Sequence, residues 1–179
     1  DWFNINMSAA TLATKTSYND PTYQVLELFY NSASSELLQE YDQNNDGFID
    51  ALWLIYSIPA RAVNEDLYWA YTYWYDQAPK TSKPVPGVYA WASYDFMYEG
   101  YGSNGIDAHT YIHETGHVLG LDDYYNYDED STYGPTGRVD MMDWNIVDHN
   151  AFSKMALGWT LPHVIDGSEE ETTIMLSPF

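Results

Sequence analysis

The chain contains no cysteine. No disulfide can staple it, and no thiolate can hold a metal or attack a substrate. Basic residues are scarce: six Lys and Arg stand against 27 Asp and Glu, a formal net charge of −21. Phosphate backbones are held by Lys and Arg patches, so nucleic acid is not an expected partner. Such acidity also makes a compact state repel itself, and bound cations relieve that repulsion. No apolar run reaches the ~18–20 residues of a membrane-spanning helix, and no signal peptide opens the chain. The abrupt start at Asp1-Trp2-Phe3 reads as a trimmed piece of a longer precursor. The lack of cysteine fits a bacterial exported protein.

The 179 residues fit one domain, 1–179, able to bury a real core. Hydrophobic residues make up 45% and aromatics 17%, which argues against disorder. Eighteen tyrosines and seven tryptophans suit a half-exposed sheet or a cleft wall.

The most informative stretch is His113-Glu114-Thr115-Gly116-His117-Val118-Leu119-Gly120-Leu121-Asp122-Asp123. Histidines four apart stack on one face of a helix and can converge on one ion. Glu114 then lies beside the metal without binding it, as a general base does in a zinc peptidase. Ala108, Tyr111, Ile112, Thr115, Val118 and Leu119 recur at helical spacing and are expected to form the buried stripe. A catalytic zinc takes three protein ligands and a water. Gly120 can end the helix in a left-handed turn, and Asp123, three residues on, can supply the third bond. Its neighbour Asp122 is the alternative. His109 shares the histidine face, but ligands at i, i+4 and i+8 span ~12 Å of helix, too far for bonds of ~2 Å.

Elsewhere, residues 22–41 read as two helices broken near Asn31–Ser35, the second capped by Ser34 or Ser35 with Glu36 in its first turn. Asp42, Asn44, Asp46, the Phe48 carbonyl and Asp50, with Gly47 at the sharp turn, match the front of a calcium loop. Trp53 stands where a bidentate Glu belongs, so the loop is either a calcium site or a plain Asn/Asp/Gly turn. Ala51–Ile58 reads as a buried strand, Leu67–Tyr75 as an edge strand, Gln77–Pro86 as a loop and Val88–Met97 as a strand. Gly100–Gly105 is a glycine-rich turn, and Asp107 is placed to cap the histidine helix. Asp122–Arg138 reads as an irregular loop that could wall a cleft. Asp148–Gly158 reads as a helix, and 164–179 as a strand pair or the start of a following module. His149 and His163 read as ordinary histidines.

With His113 to Asp123, Asp140-Met141-Met142-Asp143 and Lys154-Met155-Ala156-Leu157-Gly158-Trp159 in view, the chain resembles the secreted bacterial metallopeptidases of the immune inhibitor A type, among the metzincin-like zincins. The resemblance covers roughly residues 22–165. It implies an α+β fold: a twisted mixed sheet, an active-site helix, a cleft and a small C-terminal subdomain. It implies His113, His117 and Asp123 as zinc ligands, Glu114 as general base, and a methionine turn beneath the metal at Met142, with Met141 as alternative. Two positions depart from the family pattern. Trp144 replaces a tyrosine found two residues after the turn methionine in some metzincins, and Asp122 stands where the family often has Pro.

The expected function is therefore a secreted, monomeric zinc metalloendopeptidase acting on proteins or peptides, with Zn2+ and, at residues 42–50, Ca2+ as its ions. The competing reading is an inactive zinc- or calcium-binding module for adhesion or for glycan or protein binding. An intact Glu114 argues against it, since a binding module needs no base beside an open metal.

Overall fold

The computed structural model describes residues 3–14, 19–59, 69–98, 105–128, 135–165, 167–168 and 173–175. The chain divides into two compact units, Asp1–Asp148 and His149–Phe179. None of the described helices is long and apolar enough to cross a membrane.

The first unit begins with three helices, α1 (Ala9–Ala13), α2 (Asn19–Ser32) and α3 (Ser35–Glu40). The expected break and cap are observed. Ser34 sits outside helical geometry and its hydroxyl accepts the Leu37 N–H. Strands follow: β1 (Phe48–Ile49), β2 (Trp53–Tyr56), β3 (Tyr71–Trp74), β4 (Val85–Pro86) and β5 (Val88–Ser93). β1 and β4 form a short parallel pair, a pairing hidden in a segment expected to be loop. The other three form a mixed sheet in the order β2-β5-β3, with β2 parallel and β3 antiparallel to β5.

Two strand expectations need adjusting. The Ala51–Ile58 run yields only β2, which has one sheet neighbour among the described residues and leaves Ile55 47% exposed, so it is an edge strand rather than a buried one. Val88–Met97 turns from strand into a 3-10 segment at Tyr94–Tyr98. The expected edge strand is β3; residues 67 and 68 lie outside the described residues, as does most of the turn at 100–105.

β5 is the centre of the sheet, and Tyr89 to Ser93 are all buried. Strand alternation sends Tyr89 and Trp91 to one face, where they pack with Leu26 of α2 and with Tyr73 and Tyr75. Ala90 and Ala92 point to the other face, and Ala92 joins Phe96, Leu12 and Ala70 in a second cluster that Tyr111 packs against. Small side chains on this face let the helix that carries the histidines approach closely. That helix is α4 (His109–Val118). It is followed by α5 (Met141–Trp144). In the second unit, Asn150 caps α6 (Ala151–Ala156), and Gly158 follows with a positive φ of 71°. The described residues of 164–179 include no strand. His149 packs edge-on against Trp159.

Candidate metal centre

The burial of α4 reverses the expected stripe. His113, Glu114, Thr110 and Gly116 are the buried positions, whereas Ile112 is 44% and Leu119 47% exposed and Ala108 is exposed. The helix turns its polar face inward, where His113 meets the Met141 carbonyl and Glu114 the Thr72 hydroxyl. Asp107 acts one residue earlier than a cap: the N-cap position is Ala108, and the Asp107 carboxylate accepts the His109 N–H at 2.9 Å.

The helix ends in a Schellman turn. Gly120 has φ +96°, its N–H donates to the His117 carbonyl, and the Leu121 N–H donates to the Gly116 carbonyl. This reversal carries Leu121 and Asp123 back over the helix end. The result is a tight triangle. His113 Nε2 and His117 Nε2 are 3.1 Å apart, and Asp123 Oδ1 lies 3.0 Å from the first and 3.2 Å from the second. Among the described residues this is the only group of three or more His, Asp or Glu able to hold one metal ion.

The tautomers follow from the other ring nitrogens. His113 Nδ1 is 2.8 Å from the Met141 carbonyl, and His117 Nδ1 is 2.8 Å from the Leu121 carbonyl. A carbonyl only accepts, so each Nδ1 carries the proton and each neutral ring aims a lone pair from Nε2. Asp123 Oδ1 is sealed from water and receives no hydrogen bond. Three electron-pair donors therefore converge on one point. A tetrahedral zinc with bonds of ~2.0–2.2 Å separates its ligand atoms by about 3.3–3.6 Å. The triangle is within a few tenths of an ångström of that, so the residues fit such an ion.

A proton is the alternative occupant. Burial disfavours charge on His117, but the Asp123 carboxylate and the Leu121 carbonyl outweigh it, and the imidazole titrates above its ordinary value. Burial also pushes Asp123 up, but His113, His117 and Tyr127 outweigh it and hold the carboxyl well below the usual range.

Glu114 is buried at the floor of an open cleft of about 1070 Å³. Burial pushes its carboxyl up, against the opposing pull of His113 and of its hydrogen bond with Thr72. Thr72 was not apparent as a site residue. Its hydroxyl donates to Glu114 Oε2 at 2.9 Å. The available signal was that Thr72 is the one small polar side chain in Tyr71-Thr72-Tyr73-Trp74, paired with Ala90 on the face opposite Tyr73. Tyr125 and Tyr127 were also missed individually, although the loop was expected to wall a cleft, and both line it. The Tyr125 ring lies parallel to the His113 imidazole at 6.3 Å, and the Tyr127 hydroxyl donates to Asp123 Oδ2 at 2.5 Å.

The methionine segment reaches the site through its backbone. Asp140 caps α5 by accepting the Met142 N–H at 2.7 Å, Met141 supplies the carbonyl that fixes His113, and the Met142 carbonyl accepts the Tyr124 N–H. Both methionines are buried. Asp122 and His109 line the cleft but stand outside the triangle; His109 Nδ1 is 2.7 Å from Asp107 Oδ1.

The calcium-loop residues have local partners. Asp42 accepts the Asp46 and Gly47 N–H groups, Asn44 Oδ1 accepts the Asp46 N–H, Asp46 accepts the Phe48 N–H, and Asp50 accepts the Gln43 N–H. Gly47 has φ +87°, and a Cβ there would lie 2.7 Å from the Lys80 nitrogen, so the glycine is required.

Comparison of the chain with models of known families, with curated proteins and with solved structures found no significant match.

Proposed function

We propose that the chain is a zinc-dependent endopeptidase of metzincin-like fold, secreted by a bacterium, with His113, His117 and Asp123 as metal ligands and Glu114 as general base. The reading is carried by one observation: two Nε2 lone pairs and a buried, unpartnered carboxylate oxygen converge at 3.0–3.2 Å. The donor set of two imidazoles and one carboxylate suits zinc, and the cleft supports an enzyme rather than a closed structural site.

When bound, zinc supplies Lewis acidity and brings the pKa of a water toward ~7. His113, His117 and Asp123 would hold the ion. Glu114 would take a proton from an attacking water as the water oxygen bonds to the peptide carbonyl carbon and the C=O π pair passes to the carbonyl oxygen. As the C–N bond breaks, Glu114 returns the proton to the leaving amine. Thr72 orients the carboxylate for both transfers. Burial raises the Glu114 carboxyl, which suits a group that must accept a proton and then release it near neutral pH. The Met141 and Leu121 carbonyls hold the two imidazoles in the ligating tautomer. Met142 forms an apolar floor and is not a ligand. The extended edge of β3, whose Thr72 and Trp74 line the cleft, offers a place for a peptide to add as a strand. Calcium at Asp42, Asn44, Asp46, the Phe48 carbonyl and Asp50 is a second, separate proposal.

The test is casein cleavage by purified protein before and after metal removal. The expected result is loss of cleavage on chelation and recovery on adding back about one equivalent of zinc. Cleavage by metal-free protein would overturn the proposal.

A further inference from the structure

Asp123 uses its two carboxylate oxygens differently. Oδ1 faces both imidazoles, while Oδ2 takes the Tyr127 hydroxyl at 2.5 Å. Left free, a carboxylate can place one oxygen or both on a metal. Two oxygens from Asp123 would raise the protein's share of the coordination and crowd the position that a water or substrate oxygen must take.

We propose that Tyr127 is a positioning residue that holds Asp123 to single-oxygen coordination and so keeps the metal's fourth position open. The inference rests on the zinc reading above. Its physical basis is a charge-assisted hydrogen bond from a phenol that is braced by the site itself. The Tyr127 ring meets Tyr125 edge-on at 5.1 Å, and Tyr125 lies parallel to His113. Tyr127 is 75% exposed, so its hydroxyl contributes little to the fold and can be removed without opening a core. The motif thus extends two residues beyond its neighbour Tyr125, to Asp123-x-Tyr-x-Tyr, with the last hydroxyl aimed back at the third ligand.

The experiment compares wild type, Tyr127→Phe and, as a control outside the cleft, Tyr41→Phe. Three quantities are read: zinc affinity by competition with a chromophoric chelator, the visible spectrum of the cobalt-substituted protein, and the melting temperature without metal. Outer partners of metal ligands are typically worth ~10–100-fold in affinity. Tyr127→Phe is therefore expected to bind zinc ~10–100-fold more weakly. Its cobalt spectrum should weaken as Asp123 adds its second oxygen, while the metal-free melting temperature stays close to wild type. Tyr41→Phe should match wild type in all three. An unchanged zinc affinity, or an unchanged cobalt spectrum, in Tyr127→Phe would overturn the inference while leaving the zinc reading standing. A wild-type chain that takes up no zinc would overturn both.

Discussion

The Thr72 hydroxyl lies 2.9 Å from Glu114 Oε2 and 3.0 Å from the Glu114 backbone carbonyl, so one β3 side chain ties the carboxylate back to its own helix. A hydrogen bond to a charged group is worth ~1.5–3 kcal/mol, and about 1.4 kcal/mol is tenfold in rate. Thr72→Val keeps the shape and the strand preference but removes the donor. It should lower kcat ~10–100-fold with KM little changed, and Thr72→Ser should restore most of the loss. Equal kcat in wild type and Thr72→Val would show that the contact does not serve Glu114 in its proposed role as base.

The proposed third ligand can be separated from its neighbours by zinc titration. Asp123→Ala should lose far more affinity than Asp122→Ala or His109→Ala, because only Asp123 lies in the triangle with both Nε2 atoms. Similar losses in the two aspartate variants would count against the assignment.

Zinc and protons compete for the same lone pairs. The His117 imidazole titrates above its ordinary value because Asp123 and the Leu121 carbonyl outweigh the effect of burial. Zinc affinity should therefore be full above that titration and fall as pH is lowered through it. In metal-free protein the signs differ by group. The raised His117 contributes stability that is complete below its unfolded value and lost as pH rises through the folded one. The lowered Asp123 contributes stability present above its unfolded value and lost as pH falls through the folded one. Isothermal titration with zinc at several pH values checks the first claim; affinity independent of pH would contradict it.

Asp42 is buried and accepts two backbone N–H groups in its loop. Asp42→Ala leaves those donors without their acceptor and should cost ~1–3 kcal/mol of stability, measured by urea unfolding without calcium. Calcium binding is tested on wild type, where added calcium should raise the melting temperature relative to a calcium-selective chelator. No difference would leave the loop a turn.

The convergence of His113, His117 and Asp123 was legible because its signals are local. Two histidines four apart, a glycine three residues later and an aspartate three beyond that need only a helix and one turn to meet. The Ser34 cap was legible for the same reason. The partners that complete the site were hidden because they come from far along the chain. Thr72 is 42 residues from Glu114, and the Met141 carbonyl is 28 residues from His113. The second is a backbone group with no side-chain signature at all. The apolar stripe on α4 misled because periodicity reports which side chains are apolar, and here the polar face is buried by partners that the helix itself does not contain. β4 went unseen because its two residues, Val85 and Pro86, follow Pro84 and carry no strand pattern.

The most direct test is digestion of a denatured protein mixture by zinc-loaded wild type and by zinc-loaded Glu114→Ala, with new peptide ends mapped by mass spectrometry. General base catalysis is worth ~10²–10⁴-fold. Wild type should generate new peptide ends throughout the mixture, and Glu114→Ala, with its zinc retained, should cleave at least ~10²-fold more slowly. Absence of cleavage by wild type, or more than about a tenth of its rate in Glu114→Ala, where base catalysis alone should remove ~10²-fold or more, would contradict the account.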